Sequence, residues 1–150
     1  MTQPNLEFDT AAQKSCYQKV ASYCDQLFGD DATASNEGPR FYLRHGTAHV
    51  TVRVDPWRGD EDSTITVGAW VIQNIKLSPP LLLYLLRENY GIGWGGFGID
   101  ADDDIFFEHT IVGSTCDKDE LSNSIAAVQI YGDNYGKKIK AMWGGDTAYN

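Results

Sequence analysis

Residues 78–112, SPPLLLYLLRENYGIGWGGFGIDADDDIFFEHTIV, decide the fold. Ser78 followed by Pro79 and Pro80 is a helix start: serine accepts from a free N–H, and proline at the first helical position loses no hydrogen bond. Leu81–Leu86 (LLLYLL) is apolar all round, and Arg87, Glu88 and Asn89 finish the helix. Gly91 fits the left-handed position just past a helix end. A short helix that is apolar on every side has to be buried on more than one side. One side faces the sheet, and the other faces a second helix or a second subunit. Glycines at 93, 95, 96 and 98 then surround Trp94 and Phe97, so 94–100 reads as a strand that twists or bulges. Asp100–Asp104 is a turn and Ile105–Val112 the return strand of a hairpin.

Upstream, Thr10 with Gln13 forms a capping box. Ala12, Cys16, Val20, Tyr23 and Leu27 then step by three and four, predicting a helix from about Asp9 to Phe28 that packs by one face. Residues 29–39, GDDATASNEGP, read as a loop. Three strands follow, over Arg40–Arg44, Ala48–Asp55 and Thr64–Ile75. Each alternates with a period of two, and short links make them an antiparallel meander. In the third strand Ile65, Val67, Ala69 and Val71 share the core face. Trp70 and Ile72 fall on the other face, where either a covering element or a partner must meet them. Downstream, Asp117 with Glu120 caps a helix whose apolar row runs Leu121, Ile125, Val128, Gly132, Tyr135, Ile139, Met142. Gly132 and Gly136 in that row mark close packing or a bend. The order is α-β-β-β-α-β-β-α in one α+β domain over 1–150, with 1–8 and 144–150 expected as loose ends.

Composition narrows the function classes. The 150 residues carry a formal charge of −9, which argues against nucleic acid or an anionic membrane as partner, since both need a basic patch. The one dense basic run, Lys137, Lys138 and Lys140, suits a helix C-terminus. No apolar run is long enough to span a bilayer. Cys16, Cys24 and Cys116 are odd in number and lack metal-ligand spacing, and the first residues lack a leader pattern. Reduced thiols in a cytoplasmic protein are expected.

Chemical motifs fail one by one. Gly91–Gly96 formally matches GxGxxG, but a dinucleotide fingerprint has its strand before and its helix after, and here the helix comes first. Asp100, Asp102 and Asp104 mimic the start of a calcium loop, yet its sixth position is Ile105 and its twelfth Ile111. His45, His49 and His109 are scattered, and no activated nucleophile or paired base is visible. No catalytic residue, cofactor site or metal site is therefore assigned.

The stretch 81–111 resembles the YbjN-like family, whose fold is that of type III secretion chaperones, and within it a cyanobacterial-type branch. The resemblance rests on the leucine-rich helix Leu81–Leu86, on an N-x5-G-x-F-x-x-D pattern (Asn89, Gly95, Phe97, Asp100), on the acidic turn 102–104, on His109-Thr110 and on the following helix, 119–142. It implies a small acidic homodimer that holds an extended segment of a client protein by sheet edges and apolar grooves. On that reading Leu82, Leu85 and Leu86 form the dimer helix, and Trp70, Ile72, Trp94 and Phe97 form the client-binding surface. A small-molecule or metal-responsive regulator is the alternative, carried by the acidic turn and the histidines.

Overall fold

The computed structural model describes residues 4–149. The helices are α1 (Ala11–Phe28), α2 (Pro79–Gly91) and α3 (Lys118–Trp143). The strands are β1 (Thr33–Ala34), β2 (Arg40–His45), β3 (Ala48–Trp57), β4 (Asp62–Ile72), β5 (Gly96–Ile99) and β6 (Ile105–Val112). The strands form a six-stranded antiparallel sheet in the order β1-β2-β3-β4-β6-β5. The α+β fold and the expected element order are therefore observed, with two additions inside the expected loop 29–39: a single 3-10 turn, Gly29–Asp31, and β1. In β1, Thr33 and Ala34 pair with Tyr42 and Phe41 as a two-residue edge strand, which their local sequence does not announce.

The chain divides into two compact units. The first comprises residues up to Leu43, Thr51–Val67 and Thr110–Ile125. The Thr10 cap of α1 is present, the Gln13 N–H donating to Thr10 Oγ1 at 3.0 Å, but the return bond of the expected capping box falls one residue earlier: Gln13 Oε1 accepts from the Asp9 N–H at 2.8 Å. Gln13 Nε2 also donates to the Val54 carbonyl, which fixes α1 on β3. Tyr17 stacks on Phe41, and Phe8 tilts onto Tyr17. Cys16, Cys24 and Cys116 are buried free thiols. Burial pushes Cys24 up to about 12 and Cys116 up to about 11, so both stay protonated and behave as small apolar groups.

The second unit comprises Arg44–Val50, Gly68–His109 and residues 126–149. Here α3 lies against β3 and β4. A Cβ on Gly132 would sit 3.0 Å from that of Ala69 and 3.3 Å from that of Ala48, so this glycine marks close packing. Phe97, Phe107, Tyr131 and Tyr135 form an aromatic cluster, with Phe97 4.9 Å from Tyr135 and 5.1 Å from Phe107. The Tyr135 hydroxyl donates to Glu88, and Tyr84 packs on Trp143, so α2 is joined to the C-terminal part of α3. Asp133 accepts from both the N–H and the hydroxyl of Thr47 at 2.8 Å and pairs with Lys137, tying α3 to the β2–β3 turn.

Two local expectations are corrected. Gly91 is the last residue of α2 and not a left-handed cap; Ile92 caps instead, with φ −93. The segment after α3 is not loose. Asp146 exchanges two backbone hydrogen bonds of 2.8 Å with Gln73, and the Tyr149 N–H donates to the Thr47 carbonyl. Short, polar, glycine-led chain looks loose in sequence because its partners are remote residues. Residues 1–3 and 150 of the expected loose ends lie outside the described residues.

Candidate functional site

An apolar concavity of the second unit lies between α2 and the edge strand β5. It has a volume of about 280 Å³ and is lined by Leu82, Leu85, Leu86, Asn89, Phe97, Gly98 and Ile99. Its leucines come from the i, i+3, i+4 positions of one helix face, and Phe97 and Ile99 from one face of β5. The helix is held for this by its start: Ser78 caps the Leu81 N–H, and two prolines open the first turn. Below it, Leu81 and Leu85 are buried, whereas Leu86 is 65% exposed and Tyr90 95%. The expectation that α2 is covered on more than one side is met on one side only within a single chain.

Asn89 is the one polar side chain of this lining, and it is already committed. The Phe97 N–H donates to Asn89 Oδ1 at 2.6 Å, and Asn89 Nδ2 donates to the Phe97 carbonyl at 3.2 Å. The amide thus stands where a neighbouring strand would, closing the outer edge of β5 at Phe97. β5 pairs with β6 in the register Phe97↔Phe107 and Ile99↔Ile105. Because outward and inward backbone groups alternate along an antiparallel strand, Ile99 also turns its N–H and C=O to the outer edge. The β5 entry needs glycine at 95, where φ is +145 and a Cβ would collide with the Glu108 carbonyl. At its exit, Asp100 Oδ1 accepts from the N–H groups of Asp102 and Asp104. Burial alone would raise the Asp100 carboxyl, but those donors and the Trp70 indole outweigh it and hold the group below its ordinary value. The four spaced residues Asn89, Gly95, Phe97 and Asp100 are therefore the parts that shape and terminate β5.

The structure gathers some of the predicted site residues and separates others. Leu82, Leu85, Leu86 and Phe97 meet in the groove. Leu85 is its buried base, and so is no free contact surface. Trp94 is 42% exposed and sets its edge against His109. Trp70 is 36% exposed, on the opposite side of β4 from Ala69, with its indole N–H directed at Asp100 Oδ2. Ile72 is 0% exposed and so is not an available client-binding residue. The segment after α3 crosses it: a Cβ on Gly145 would run into Ile72 Cγ2. Of the two sequence readings for that face, cover holds at Ile72. Sequence reasoning missed Ile99 as a groove residue, although its period-two relation to Phe97 carries the signal.

The acidic turn and the histidines do not converge. Asp104 accepts from Gln73 Nε2 and from the Asn74 N–H, so its carboxylate serves the turn. Among the described residues no group of three His, Cys, Asp or Glu side chains is placed to hold a metal ion. The first unit has a more polar cleft of about 330 Å³ beside Ser15, Cys16, Lys19, Asp62 and Ser114. Its charged groups are used internally: Lys19 Nζ donates to the Gly113 carbonyl at 2.6 Å, and Asp62 accepts from Ser114 and the Ser63 N–H. Among the described residues, no helix is long and apolar enough to cross a membrane.

Residues 16–150 match the family model TY-Chap1, described as T3SS (YopN, CesT) and YbjN peptide-binding chaperone 1. Two solved structures share the fold. A chain of the HopA1–SchA chaperone–effector complex superposes with a TM-score of 0.62 at 12% identity, over 83% of this chain and 96% of that one. A chain of the ExsC–ExsE complex gives 0.62 at 14% identity, over 83% and 93%. No curated protein matches the sequence.

Proposed function

The chain belongs to the TY-Chap1 family of peptide-binding chaperones, and from that premise we propose that it is a non-catalytic cytoplasmic homodimer that holds an extended segment of a client protein. The observation that carries this is the open apolar face of α2 beside an edge strand. Leu82, Leu83, Leu86 and Tyr90 leave on α2 an apolar surface that a single chain does not cover. Burying a leucine side chain contributes about 1.5–3 kcal/mol, so a few such residues per copy supply a stable contact. A second α2 is the natural cover for the Leu82–Leu86 row. Trp94, Phe97 and Ile99, which follow the sheet edge, then receive the client, with apolar side chains seated against them and the outward backbone of Ile99 open to a strand. One chain of the HopA1–SchA chaperone–effector complex has the same fold, which is consistent with a polypeptide as the occupant.

Two measurements test this separately. Leu86→Asp, at a mostly exposed position, should leave the fold intact and halve the mass in sedimentation equilibrium. A folded dimer of that variant removes α2 from the interface. Leu85→Asp is unsuitable, since a carboxylate at that buried position unfolds the chain. For the client surface, a permanently unfolded, carboxymethylated polypeptide is titrated with the wild type and with Trp94→Ala/Ile99→Asp. Binding weakened at least tenfold in a folded, dimeric variant supports the reading, and unchanged binding refutes it.

A further inference from the structure

The segment 144–149 behaves as a bound peptide. It leaves α3 through Gly144 and Gly145, whose φ values of +86 and +82 make a hinge only glycine takes easily. Asp146 then pairs with Gln73 as an antiparallel bridge that continues β4, donating to and accepting from it at 2.8 Å. Asn74 Nδ2 adds a bond of 3.2 Å to the Asp146 carboxylate. Three residues on, Tyr149 fills an aromatic seat. The Arg44 guanidinium lies 4.2 Å from its ring centroid, its hydroxyl is 2.7 Å from His49 Nδ1, and its N–H donates to Thr47. His49 in turn lies 5.8 Å from the Trp70 ring. His49 and Trp70 lie on the face of β3 and β4 away from α3, because Ala48 and Ala69, one residue before each, meet Gly132. The strap GGDTAY brings one large side chain, Tyr149, and a few backbone hydrogen bonds. Segments held by so few contacts open locally well before the fold unfolds.

We propose that this face is a second peptide-binding seat, distinct from the α2–β5 groove, and that residues 144–149 occupy it in cis as a displaceable strap. The strap defines the ligand that replaces it: an extended segment whose backbone pairs with Gln73 and which carries an aromatic residue three positions later, under Arg44 and beside His49. A tethered strap competes at an effective concentration in the millimolar range. The seat is thereby closed to weak ligands and opens to segments that pair better or arrive at high local concentration.

The test uses the full chain and a fluorescein-labelled peptide of sequence GGDTAYN. Tyr149→Ala empties the aromatic seat and should raise peptide affinity at least tenfold over the wild type, measured by fluorescence anisotropy, while a GGDTAAN peptide stays unbound. Gln73→Cys/Asp146→Cys should lock the strap. Residues that exchange both backbone bonds lie about 5.5 Å apart at Cα, within disulfide reach. The oxidised variant should refuse the peptide, and reduction should restore the wild-type response. The same peptide should bind a Tyr149→Ala/Leu86→Asp protein equally well, so failure of the α2 reading leaves this result standing. Equal affinity for wild type and Tyr149→Ala, or no binding to a Tyr149→Ala protein whose circular dichroism is native, overturns the proposal.

Discussion

Replacing Asn89 by alanine removes a side chain that acts as a strand. Two hydrogen bonds disappear, one of 2.6 Å from the Phe97 N–H and one of 3.2 Å to the Phe97 carbonyl. Each contributes about 0.5–1.5 kcal/mol net. Phe97 sits on an edge strand, so water reaches part of what is freed, and the sum falls near 1.5–2 kcal/mol. For a chain of this size that corresponds to a drop in Tm of about 3–8 °C. The local signature is sharper than the global one. The Phe97 amide should exchange with deuterium about tenfold faster for each 1.4 kcal/mol lost, while the Gly98 amide, which faces β6, should change less. Asn89→Asp sharpens the test. A carboxylate keeps the acceptor for the Phe97 N–H but points a second acceptor at the Phe97 carbonyl, so at neutral pH it should cost at least as much as alanine. Protonation at low pH restores a donor and should narrow the gap. The opened edge then offers the outward groups of Phe97 and Ile99 together, which should strengthen binding of extended peptides. A Tm within 1 °C of wild type with unchanged Phe97 exchange would falsify the strand-surrogate role.

Two further outcomes follow from the same structure. Burial pushes the Asp133 carboxyl up, but Lys137 and the N–H and hydroxyl of Thr47 outweigh it and hold the group at about 2, against an ordinary value of 3.8. Its stabilising effect is thus present above about pH 3.8 and is lost as pH falls toward 2. Asp133→Asn should cost about 1–2 kcal/mol at pH 6, and in urea titrations the difference should vanish by pH 2; a difference independent of pH would remove the charge from the account. Ile72→Ala should cost about 2–4 kcal/mol, because it opens a cavity beneath the strap, whereas Trp70→Ala should cost under about 1.5 kcal/mol; the reverse order would place Trp70 in the core.

Much of the fold is legible in local sequence because its causes are local. Period-two alternation names β2, β3 and β4, and steps of three and four name α1 and α3. The caps at Thr10, Ser78 and Asp117 fix the helix starts: Asp117 accepts from the Glu120 N–H at 2.7 Å, and the other two serve as expected. The spacing Asn89, Gly95, Phe97, Asp100 is visible in the sequence as a resemblance to a family pattern, while what the four residues do for β5 is not. The groove is half legible. An all-apolar helix says that something covers it but not on which side, and only the packing of Leu81 and Leu85 decides that Leu82 and Leu86 line the groove.

What the sequence determined by itself is the set of elements and their order, since propensity, capping and periodicity act over a few residues. The tertiary structure alone decided that Ile72 is covered, that β1 adds an edge, that Asn89 stands in for a strand and that residues 144–149 fill a seat beside His49. Apart from β1, which pairs with the neighbouring β2, each of these joins residues remote in sequence or commits a side chain to a backbone partner, as in the pairing of Gln73 with Asp146 and of His49 with Tyr149. Such pairings are fixed by the geometry of the closed chain, where satisfying buried backbone groups outweighs the preferences of any single segment.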